Sequence, residues 1–133
     1  MRKIIFGFLL SGLIVAFHPL ALAQQAKPEH GIASVYAQKL IGHRTASGEV
    51  LDRKRLTMAH RTLPFGTVLE VTNRTNGRKA LVRVNDRGPH RKKFLLDLSP
   101  AAAAALGIGR RSTAPVEMRV ADHVAAIGIP RQP

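Results

Sequence analysis

The sequence predicts one small, mainly β domain closed into a barrel. Two patterns carry that fold class: several short Val-, Leu- and Thr-rich runs separated by glycine-bearing loops, and one short alanine-rich helix among them. Length is the third observation. Once an export leader is set aside, about 110 residues remain, enough for a single domain with one modest core.

The leader comes first. Arg2 and Lys3 form a positive n-region, Ile4 to Phe17 an apolar stretch of signal-peptide length, and Ala21-Leu22-Ala23 a small-residue cleavage site. Residues 1–23 therefore read as a cleaved signal, and the mature chain is expected to begin near Gln24. A membrane span would need about 20 apolar residues and usually lacks such an ending. The sequence has no cysteine, so neither a lipidated N-terminus nor a disulfide is expected. A periplasmic or secreted protein without a membrane anchor follows. Residues 24–30 read as a flexible arm, 31–121 as the domain and 122–133 as a tail. No repeat or second domain is visible, and a monomer is expected.

Within the domain, Ile32–Tyr36 is the first candidate strand. Thr67–Asn73 and Lys79–Asn85 flank a loop carrying Asn76-Gly77, a strong hairpin signal. Ser99 can cap a helix whose first turn takes Pro100, whose body is the alanine run and whose end falls at Gly107. Val116, Met118 and Val120 alternate with Glu117 and Arg119, as in a half-buried strand.

The formal net charge is +13. Two of the 21 Lys and Arg and none of the 8 acids lie in the leader, which leaves roughly +11. Such a charge favours polyanionic surroundings. Beyond the inner membrane these are wall polymers and envelope lipids; nucleic acid is not the expected partner, and the scarcity of aromatics weakens a base-stacking platform.

Candidate chemistry begins at "LVRVNDRGPH". Alternation puts Val82 and Val84 on the core face and Arg83 and Asn85 on the other. If the strand runs one residue further, Asp86 stands at the barrel rim, where a half-desolvated acid is suited to give up a proton. Gly88-Pro89 turns the chain and fixes its direction. The competing reading is a turn aspartate bonding its own backbone. Glu49 and Asp52, in "RTASGEVLD", either face one cleft or form a surface turn paired with Arg53, Lys54 or Arg55. His60, following an apolar strand, is a base, a hydrogen-bond orienter or a half-buried side chain. Asp97 sits where a helix dipole favours a carboxylate. The six histidines are scattered without ligand spacing, so no metal is expected. Nucleophile-elbow, phosphate-loop and dinucleotide motifs are absent, and no cofactor is expected.

In order, "GIASVYA", "GHRTASGEVLD", "MAHRTLPFGT", "VTNRTNGR", "VRVNDRGP" and "DLSPAAAAALG" resemble the rare lipoprotein A (RlpA) family across Gly31 to Val120. The resemblance implies a six-stranded double-psi β-barrel with one or two short helices and a groove across one side. It implies lytic transglycosylase action on peptidoglycan, cleaving between muramic acid and glucosamine on peptide-stripped glycan strands and leaving 1,6-anhydro ends. Carried over by position, it implies a catalytic set of Asp86, Glu49 and His60, with Asp86 the main proton donor and acceptor. Sugar contacts fall to Asp52, Asn85, Arg87, Arg44 and Asp97. Asp97 also competes for the acid role, because more distant barrel relatives use an acid in a segment like "LLDLS". Glycan strands are the expected partner, with a cell-wall amidase or division proteins as further candidates.

Three departures stand out. Val35 and Ala37 replace an aromatic and a glycine common in the family, the lipid-bearing cysteine is missing, and no sporulation-related repeat follows, so septal targeting is not expected. The rival from another class is a non-catalytic, expansin-like peptidoglycan-binding module.

Overall fold

The computed structural model describes residues 27–121. The expected leader, the first three residues of the arm and the tail lie outside them. Six strands close into a barrel: β1 (Glu29–Val35), β2 (Thr57–Ala59), β3 (Val68–Asn73), β4 (Lys79–Asp86), β5 (Leu96–Leu98) and β6 (Ala114–Val120), in the order β1-β5-β2-β4-β3-β6. Pairing is parallel for β1 with β5 and for β2 with β4, and antiparallel elsewhere. One helix, α1 (Pro100–Ala105), and a 3-10 turn at Gln38–Leu40 complete the secondary structure of the described residues. β1 begins at Glu29, so the last two residues of the expected arm belong to the barrel; they pair with Met118 and Glu117 of β6, and the His30 imidazole lies 3.0 Å from the Glu117 carboxylate.

The core follows the alternation read from the sequence. Val82 and Val84 of β4, Leu69 and Val71 of β3, and Val116 and Met118 of β6 meet Met58, Leu96 and Leu98 inside the barrel. Burying such side chains contributes about 1.5–3 kcal/mol each. Gly31 lets β1 approach closely, since a Cβ there would sit 2.6 Å from that of Leu95.

The β3–β4 hairpin also closes the end of α1. Its connection carries Asn76-Gly77, with Gly77 at a φ of +74°. Asn73 and Asn76 both donate side-chain amides to the Leu106 carbonyl, at 2.8 and 3.0 Å, and so satisfy the end of α1. At the other end, the Ser99 hydroxyl accepts from the Ala102 amide at 3.2 Å and donates to the Arg55 carbonyl at 2.6 Å. One serine caps the helix and fixes the segment leading into β2. The short strand β5 runs directly into this cap.

Candidate active site

The barrel brings two acids to its rim on either side of β2. In register, Ala59 faces Asp97 of β5 on one side and Asp86 of β4 on the other. That places the two Cα atoms two strand spacings apart, about 9–10 Å. A bulge makes this possible: Met58 pairs with Val84 but Ala59 pairs with Asp86, so Asn85 is the extra residue. The methyl group of Ala59 is the whole side chain between the two acids.

Asp86 is a converging acceptor. One oxygen takes the Tyr36 hydroxyl at 2.6 Å; the other takes the backbone amides of Ala46 and Arg87 at 2.9 and 2.8 Å. The strand therefore does extend through Asp86, and its only local contact is the neighbouring Arg87 amide; the other two donors come from distant segments. Tyr36 is the sole tyrosine of the chain and is nearly buried. Burial, then the bond to Asp86, push its phenol far above the usual range, so it serves as a donor.

Asp97 is not a helix-terminal acid. It lies in β5 opposite Ser34 of β1, whose hydroxyl donates to its carboxylate, and no acid occupies the first turn of α1. Burial raises its pKa above the ordinary carboxylate value; the Ser34 bond opposes this and the charge of Asp86 adds to it. A carboxyl half out of water beside another carboxylate is suited to hold a proton that a solvated one would release.

Glu49 is a clamp. Both its oxygens receive the Arg83 guanidinium, at 2.7 and 2.8 Å, and one also accepts from Asn85 at 3.2 Å. The Arg83 bonds lower its pKa, which keeps it ionised. The clamp folds the loop at 42–51 over the outer face of β4, which is why Asn85, expected outward, is only 1% exposed. The same loop presents the Ala46 amide to Asp86. Asn85 Oδ1 is buried with no hydrogen-bond partner among the described residues.

His60 is 6% exposed, and its Nδ1 accepts the amides of Thr62 and Leu63 at 3.2 and 3.1 Å. Burial lowers its pKa, so the imidazole is neutral with its proton on Nε2. Arg87 fastens the same loop: its guanidinium donates to the Leu63 carbonyl at 2.8 Å and lies 4.0 Å from the centre of the Phe65 ring. Arg44 bonds the Gly48 carbonyl of its own loop at 2.8 Å. Asp52 accepts the Lys54 amide at 2.8 Å and faces Arg55 at 3.7 Å, the surface-turn arrangement, with no contact to Glu49.

The structure thus brings Asp86, Asp97, Tyr36 and Ser34 together, with Glu49, His60 and Arg87 holding the loops around them. Tyr36 and Ser34 were not singled out from the sequence. Their partners lie 50 and 63 positions away, and only the barrel closure joins them.

A closed six-stranded barrel in this strand order, with two parallel pairings, is a double-psi barrel. The chain belongs to the lytic transglycolase family, which matches residues 28–118. It is 51% identical over 92 residues to a probable endolytic peptidoglycan transglycosylase RlpA of Treponema pallidum, covering 69% of this chain and 29% of that protein. With the endolytic peptidoglycan transglycosylase RlpA of Haemophilus influenzae it shares 47% over 100 residues, covering 75% and 34%. The chain thus spans about a third of these relatives. Among solved structures, a Clavibacter michiganensis expansin in complex with cellohexaose superposes with a TM-score of 0.58 at 24% identity, covering 80% of this chain and 53% of the expansin. The apo expansin gives 0.55 at 27%, covering 71% and 51%.

Proposed function

We propose that the chain is an endolytic peptidoglycan lytic transglycosylase of the cell envelope, acting outside the cytoplasm on glycan strands freed of stem peptides. The carrying observation is the pair of rim acids in different surroundings, within a domain shared with relatives named for this activity. Asp97, whose pKa burial raises, gives a proton to the glycosidic oxygen between muramic acid and glucosamine. As that bond breaks, the Asp86 carboxylate stabilises positive charge at C1 and takes the proton from the muramyl C6 hydroxyl, whose oxygen attacks C1. The products are a 1,6-anhydro ring and a free glucosamine 4-hydroxyl, and no water is consumed. Tyr36, Glu49, His60 and Arg87 act as positioning residues. This division moves the donor role from Asp86, its place in the sequence reading, to Asp97.

The test is mass spectrometry of soluble products from amidase-treated peptidoglycan with wild type, Asp97→Asn and Asp86→Asn. Anhydro-ended fragments from the wild type, lost in both variants, support the assignment. Reducing-end sugars would make the protein a hydrolase. Glycan binding without fragments would favour the expansin-like binding module, a reading supported by the fold shared with an expansin that holds cellohexaose.

A further inference from the structure

Asp97 opens onto a cleft of about 430 Å³, within the range of small-ligand sites. Ser34, His90, Arg91, Phe94 and Arg111 also line it, and Asp97 is its sole acid among the described residues. Neither arginine takes part in an ion pair among the described residues. Arg61, tied to the Pro89 carbonyl at 3.0 Å, adds positive potential at Asp97. Two uncommitted guanidinium groups beside one half-buried acid make an anion-receiving cleft, and Phe94, with the Lys93 ammonium 4.9 Å from its ring centre, adds aromatic surface of the kind a sugar ring covers.

We infer that this cleft is a subsite for a carboxylate-bearing amino sugar, with Arg91 and Arg111 reading the carboxylate and Phe94 lying under the ring. The identity of the sugar rests on the transglycosylase reading. A bare glycan strand has one anionic group per disaccharide, the lactyl carboxylate of muramic acid, and linkage to a stem peptide turns it into a neutral amide. A guanidinium fork matches a planar carboxylate with two parallel hydrogen bonds; an amide offers one oxygen and no charge. The cleft therefore selects peptide-free muramyl residues by charge and seats them beside the proposed donor. Phe94 also takes over the stacking surface that Val35 cannot give.

The net charge would attract any polyanion, so the test compares glycans that differ at one group. Binding of the full chain at 4 °C is measured for bare glycan strands and for the same strands with lactyl carboxylates converted to carboxamides. The wild type is expected to prefer the carboxylate form about tenfold, the scale of one charge-assisted contact. Replacing both arginines (Arg91→Gln with Arg111→Gln) should erase the preference, and lysine at both positions should restore part of it. A charge-matched pair elsewhere, Lys79→Gln with Arg119→Gln, should leave it intact. Equal binding of both glycans by the wild type, or a preference that survives the glutamine pair, overturns the inference. Parallel assay of anhydro ends separates the two readings. Discrimination without anhydro ends keeps the subsite and removes the activity; anhydro ends without discrimination do the reverse.

Discussion

The phenol of Tyr36 and the carboxylate of Asp86 meet in a 2.6 Å hydrogen bond across 50 positions of sequence. The ring belongs to a small satellite core with Leu51 and Ala59, so the donor is held by packing on one side and by its acceptor on the other. Tyr36→Phe removes the donor and leaves the ring. Turnover is expected to fall about tenfold with KM nearly unchanged, because the two amides still bond Asp86 but its aim is looser. The stability cost should be near 1 kcal/mol. Product-release kinetics and thermal melts check both; unchanged turnover would make the bond purely structural.

Asp97 predicts a conflict between activity and stability. Its folded pKa is raised, so the folded state holds this proton more tightly than the unfolded chain does. Stability linked to the group is complete below the ordinary carboxylate value of 3.8 and declines as pH rises through the raised folded value. Asp97→Asn should therefore raise the neutral-pH melting temperature while abolishing turnover, and the gain should shrink under acid conditions. Melting curves across pH for wild type and variant decide it. A variant that melts lower at neutral pH contradicts the burial argument.

His60 offers a way to divide scaffold from chemistry. Its Nδ1 satisfies two amides, so His60→Ala should cost about 1–3 kcal/mol. Asparagine, with a carbonyl near the same place, should recover part of that. The lowered pKa means that stability from this group is present above its ordinary value of 6.5 and lost as pH falls through the folded value. Urea midpoints against pH would show this slope in wild type and not in His60→Asn. If His60→Asn folds but is inactive, the ring also moves a proton.

The Glu49–Arg83 clamp predicts a local effect. Both partners are partly exposed, so Glu49→Gln should cost only about 0.5–1 kcal/mol globally. Its contribution is present above the ordinary value of 4.5 and lost as pH falls through the lowered folded value. Amide exchange at Ala46 and Ser47 should quicken while β3 stays protected, and turnover should fall with the loosened loop. Uniform exchange across the barrel would mean that the clamp serves the whole fold.

Much of this architecture was legible in the chain. The β3–β4 hairpin, the Ser99 cap, the alternation of β6 and the core face of β4 each follow from local chemistry, and the motif order pointed to the double-psi barrel. β5 was not legible. Leu96-Asp97-Leu98 is too short to show a period, and the helix cap behind it drew Asp97 into a dipole reading. Alternation puts Asn85 on the same face as Arg83, and both reach Glu49, yet the loop at 42–51 covers that face, which alternation does not register. The contacts of Tyr36 with Asp86 and of Ser34 with Asp97 exist only once the barrel has closed.

The closing seam of the barrel has a consequence for how this unit can be carried. Glu29, the first residue of β1, lies directly opposite Met118 near the end of β6, so chain entry and exit stand side by side. A host protein need only open one surface loop by the width of a strand pair to accept the barrel as an insert, or to exchange it for another. By the same geometry, joining the two ends with a short linker and cutting the β3–β4 loop should yield a permuted barrel with its rim acids still in register.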